Sequence, residues 1–208
     1  MPDLYSNLHL VLRWLHVLAG IIWIGHLYFF NFVNVPLQGS LDDATKKLVN
    51  PQLLPRALWW FRWGAMVTLL AGLTLFVMNY FYTGAGFGPT SLLIDPMTDK
   101  MTGRAMWILF GMLLGTIMWF NVWFVIWPAQ KALLTGRVAA DKVASVRKRA
   151  LLFSRTNSYL SGPMLFGMLA PAHYGTMRSP ALLMAIVLGV AAIWACIRSS
   201  GKVGKLQK

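Results

Sequence analysis

The stretch RWLHVLAGIIWIGHLYFF (residues 13–30) decides the fold. Apart from Arg13 and two histidines it holds only apolar, aromatic and glycine residues, and it continues an apolar run long enough to cross a bilayer, which needs about 20 residues of helix. An imidazole inside hydrocarbon costs free energy unless it is neutral and hydrogen-bonded or bound to something. Ten residues of helix separate His16 from His26 by about 80° of azimuth and about 15 Å of rise, so the two rings look into one bundle at different depths without sharing one small metal ion.

Working outward, the whole chain of 208 residues repeats this character. It is 57% hydrophobic and only 12% charged, with ten tryptophans and no glutamate. Soluble domains carry about 25% charged residues, so this is a membrane composition. Five helices are predicted, over 8–33, 57–81, 105–128, 152–172 and 180–198. The first is too long for the apolar part of a signal peptide and no small-residue cleavage site follows it. The lone cysteine, Cys196, excludes an internal disulfide and a cysteine zinc site, and without C-x-x-C-H there is no covalent c-type haem.

A net charge of +13 would suggest nucleic acid in a soluble protein. Here its distribution points to the bilayer. With the N-terminus outside, fifteen of the 19 Lys and Arg residues fall in inner segments, and only Arg13, Lys100, Arg104 and Arg178 fall outside. That asymmetry gives an N-out, C-in topology. The expected architecture is an all-α, polytopic transmembrane bundle of about five helices, one domain over residues 1–200 followed by a basic cytoplasmic tail, 201–208. Pro36, Pro51 and Pro55 mark the first inner connection as a helix-breaking loop. The outer segment YTGAGFGPTSLLIDP is Gly- and Pro-rich, and folds irregularly over the outer mouth. Gly111 and Gly115 give the third helix a G-x-x-x-G spacing for close approach of a neighbour. The fourth helix carries Arg155, Asn157, Ser158 and Pro163, which suit a helix facing protein; the fifth reads as a lipid-facing scaffold.

Four histidines are available for chemistry. His9 and His16 lie nearly two turns apart on a similar face in the outer half of helix 1, and His173 ends helix 4 at the same level. One of the first two can therefore face His173 across the bundle. Two imidazoles from different helices, walled by Trp, Phe, Met and Gly, suit the iron of haem b, with Gly20, Gly25, Gly162 and Gly167 as sources of room. Arg13, one turn from His16, could hold a propionate by a paired hydrogen bond or reach the outer headgroups. His26, alone in the inner half, suits a helix–helix hydrogen bond or a chlorophyll-type pigment. The methionines of helix 3 lack a clustered thioether motif and read as core filler. No hydrolytic apparatus is visible, since the six acidic residues are all Asp in or near loops. Redox chemistry here would belong to a cofactor.

These residues carry a resemblance. LRWLHVLAGIIWIG resembles the opening helix of the N-terminal membrane domain of the bacterial membrane-bound urate oxidase (urate hydroxylase) family. The looser W-L-H-x-x-x-x-x-x-W-x-G pattern is also similar to bacterial membrane protoporphyrinogen oxidases and copper-resistance membrane proteins. LWWFRW, LLIDP, MLLGTIMWFNVWFVIWPAQK and RTNSYLSGPMLFGMLAPAHYG continue the narrower match in order. The resemblance implies His16 and His173 as the shared histidines, with Asn121, Asn157 and Tyr159 as polar neighbours, and leaves His26 particular to this chain. Family members have more helices, a C-terminal cytochrome c domain and a Glu in the second helix; here Arg62-Trp63 is followed by Gly64. The expectation is a b-type cytochrome-like subunit of the bacterial inner membrane, working with other redox subunits and a separate c-type cytochrome. The alternatives are a cofactor-free structural or pigment-binding subunit, or an enzyme oxidising urate or a porphyrinogen.

Overall fold

In a computed structural model the structure describes residues 3–204. The last part of the predicted basic tail, 205–208, lies outside them. Five long helices form the fold. α1 (Leu4–Ser40) and α2 (Asp43–Tyr80) make an antiparallel hairpin, and α3 (Gly103–Leu134), α4 (Val143–Leu169) and α5 (Ser179–Ser200) follow. Four of these, all but α4, are long and apolar enough to cross a membrane, which is the make-up of a multi-pass membrane protein. Between α2 and α3 lies a loop with a minimal hairpin, Ile94–Asp95 paired antiparallel with Lys100–Met101.

Helix starts follow local chemistry. Asp3, Asp42 and Thr102 each accept a backbone N–H three residues on, satisfying a donor the first turn leaves free. Asp42 also accepts the Thr45 hydroxyl at 2.6 Å, and these bonds hold its carboxyl below the ordinary range.

The prolines require a correction. Pro36, Pro51 and Pro55 do not open a loop; the chain leaves helix only around Leu41 and Asp42. Pro36 follows a π-helical turn, Phe29–Asn34, in which Val35 donates to Phe30 five residues back. Pro128 repeats the device after Asn121–Ile126, with Trp127 donating to Val122. A wider turn just before proline accommodates the missing N–H and the ring, so the helix continues. Pro51 and Pro55 stand in the exposed first half of α2, where Gln52 and Arg56 side chains donate back to the Leu48 and Gln52 carbonyls.

α4, the most polar of the five, packs against α3, α5 and the end of α1. Its Asn157, Ser158 and Ser161 are buried, as a helix facing protein requires, while α5 buries only Ala185 and Ile193. Gly111 and Gly167 meet backbone to backbone where α3 crosses α4; a Cβ on Gly167 would stand 2.9 Å from the Gly111 nitrogen. Gly162 and Gly189 do the same for α4 and α5, at 2.4 Å. Gly162 and Gly167 are therefore filled by neighbouring helices. The main core joins α1, α2, α3 and α4 through Trp23, Leu27, Phe61, Ala65, Met118, Val122 and Met164.

Candidate functional site

α2 carries small residues every fourth position, Gly64, Thr68 and Gly72, and these receive α1. A Cβ on Gly64 would sit 3.1 Å from the Trp23 nitrogen. At Gly72 the space is taken by the His16 imidazole, whose Cε1 would lie 2.9 Å from such a Cβ. His16 Nδ1 donates to the Thr68 carbonyl at 2.9 Å, since a carbonyl can only accept. That assigns the proton to Nδ1 and leaves Nε2 as a lone-pair nitrogen. The half-buried ring is thus held by a second helix through one nitrogen while the other has no hydrogen bond among the described residues.

The remaining candidates are placed differently. His9 faces α2 as His16 does, as their seven-residue spacing predicts, and its Nε2 donates to Asn79 Oδ1 at 3.1 Å. Asn79 turns its own Nδ2 to Leu75, which fixes that direction. His26 Nδ1 donates to Ile22 one turn back in its own helix, at 2.7 Å. Arg13 is exposed. His173 is exposed at the end of the short 3₁₀ turn Ala170–Ala172, a turn that packs against α3 and α4, and its ring makes no hydrogen bond among the described residues. No hydrogen bond or ring contact joins it to His16. Among the described residues no three His, Cys, Asp or Glu side chains gather as a metal site.

A polar seam runs along α4 at the other end of the core. Asn31 Nδ2 donates to Ser154 Oγ at 2.9 Å, Tyr28 shares a 2.9 Å bond with Ser161, and Asn121 Nδ2 donates to Asn157 Oδ1 at 2.8 Å. Asn157 in turn donates to the Met118 carbonyl. Asn31 and Asn121 both sit in the π-helical turns, so each widened turn carries a buried amide toward α4. Tyr159 is half-buried and takes no part. Beside this seam, Arg62 of α2 points its guanidinium at Trp127 and Trp123 of α3, 4.1 and 5.0 Å from the ring centres, and at Trp63, 5.6 Å away.

Sequence reasoning named His16 as a candidate but not what holds its ring. The four-residue repeat of small residues in α2 was the available signal. The pairing of Asn31 with Ser154 and the approach of Trp123 and Trp127 to Arg62 had none, because each joins residues more than 50 positions apart; only the adjacent Trp63 was visible in the sequence.

A helical bundle with four membrane-length apolar helices around a polar helix defines a multi-pass membrane protein. A family model described as Urate oxidase N-terminal matches residues 38–102 and 96–203, and the chain belongs to that family. The match includes α2 through α5, with Arg62, Asn121, Asn157 and His173; His9, Arg13, His16 and His26 precede it. No curated protein and no solved structure matches the chain.

Proposed function

We propose that this chain is the membrane-embedded redox subunit of a urate-oxidising system and that His16 holds its cofactor, a haem b. The observation that carries this reading is the pose of His16. An imidazole that donates Nδ1–H to a carbonyl and keeps Nε2 unpaired is arranged as metal-ligating histidines are, with the second nitrogen oriented by an outer partner. Gly72 opens the space for the ring and Thr68 sets its tautomer. His173, exposed and without a ring hydrogen bond among the described residues, would be the second residue to hold it, and Arg13 would bind a propionate. Haem bound there would supply one-electron transfer to other redox subunits or a separate c-type cytochrome. The family assignment supports urate as the reductant.

The test is a reduced-minus-oxidised visible spectrum of protein purified from its native membrane, with haem stoichiometry. The expected result is a b-type signal lost in His16→Ala and reproduced when urate is added without oxygen. A colourless protein overturns the reading. It would favour a cofactor-free structural subunit.

A further inference from the structure

We propose that Arg62, framed by Trp63, Trp123 and Trp127, binds the phosphate of an anionic phospholipid at the lysine- and arginine-rich end of the bundle. Nothing in the redox reading requires this site, and it stands on separate residues.

Arg62 precedes Tyr80, the end of α2, by 18 residues, or about 27 Å of helix, close to the roughly 30 Å thickness of a hydrocarbon layer. With Tyr80 at one edge of that layer, Arg62 lies at the other. Its guanidinium is half-buried and has no carboxylate: the only ion pair among the described residues joins Lys46 to Asp43. Three indoles wall it from two helices. Ring faces attract the cation but offer no acceptor to its in-plane N–H groups. The guanidinium makes no hydrogen bond among the described residues, and Nε is buried without an acceptor, as is Nε1 of Trp123. A guanidinium left with all its donors free at a membrane edge matches a phosphate, whose oxygens accept its fork in pairs.

The surroundings decide which phosphate. Trp123, Trp63, Trp59 and Trp60 form, in that order, a chain of ring contacts, 5.5, 6.4 and 4.9 Å between centres, running past Arg62 toward the basic end. Trp59 and Trp60 then line an open groove of about 340 Å³ with Pro55 and Arg56. A free anion gains nothing from an indole wall facing lipid. A phosphodiester gains on both sides, its oxygens on Arg62 and its glycerol and acyl portion against Trp63 and Trp123 on the hydrocarbon side of the guanidinium, with Trp59 and Trp60 on the headgroup side.

The test uses the full chain in neutral detergent, exposed to equal phosphatidylglycerol and phosphatidylcholine, with retained lipid read by native mass spectrometry. The wild type should retain phosphatidylglycerol preferentially. Arg62→Ala should lose about tenfold or more of that preference, because it removes the charge-assisted hydrogen bonds to the phosphate. Arg62→Lys keeps a cation in the cage without the fork and should lose part of it, which covers the case in which the alanine variant does not fold. Arg198→Ala, removing a guanidinium stacked on Trp194 of α5, should keep it. Absence of preference in the wild type, or equal loss from Arg198→Ala and Arg62→Ala, overturns the site. Displacement of the lipid by millimolar inorganic phosphate overturns the lipid assignment and leaves a free-anion site.

Discussion

At Gly72 a single hydrogen atom in place of a methyl group leaves room for an imidazole. Gly72→Ala would put a carbon 2.9 Å from His16 Cε1, and the ring would have to leave its bond to Thr68. Overpacking of this kind costs about 1–3 kcal/mol. The expected outcome is a lower unfolding temperature and, if His16 holds a haem as proposed, a disturbed visible spectrum. Gly25→Ala on α1 is the control: nothing lies within 4 Å of its added methyl, so it should leave both readings unchanged or gain slightly in helix stability. The face on which His16 lies was legible, because helical spacing is local. The residue beneath it was not, because that depends on how α1 and α2 slide past each other.

The two π-helical turns show why element boundaries were only partly legible. A proline in sequence warns of a lost N–H, but it does not say whether the helix ends or widens. The wider turn wins where a buried amide needs to reach α4: Asn31 finds Ser154 and Asn121 finds Asn157. Pro128→Ala would return the missing donor and favour ordinary α-helical turns, moving Trp127 off Arg62; a shift in tryptophan emission is expected, without gain in stability. Pro51 has no such turn and stands exposed inside α2. Pro51→Ala should therefore stabilise the protein by about 1–3 kcal/mol, read as a higher unfolding temperature. Opposite outcomes for these two prolines would show that the π-helical turns do not depend on them.

Across the whole molecule, composition and apolar run length were enough to predict five helices and their order, since the bilayer imposes length. They undervalued α4, whose polar residues lower its hydropathy although they are what the bundle closes around. Its contact with α5 rests on two glycines. Gly162→Ala would bring a Cβ 2.4 Å from the Gly189 carbonyl oxygen, with backbone on both sides and no flexible side chain to yield. α5 should loosen, seen as faster amide exchange in Ser179–Ser200 while α1 and α2 keep theirs.

The hairpin of α1 and α2 is taller than any bilayer. With 37 and 38 residues the two helices run about 55 Å each, nearly twice a hydrocarbon layer. With Arg62 at the membrane edge, as proposed above, the surplus gathers at the end where α1 meets α2, and a helical stalk capped by Lys46 and Lys47 stands in water. A protease can reach that stalk from one compartment only. In sealed vesicles of known sidedness, trypsin should clip after Lys46 or Lys47 in one orientation and spare the same bonds in the other. The stalk thus makes the direction of insertion, inferred so far from the distribution of charge, readable from a single pair of gel lanes.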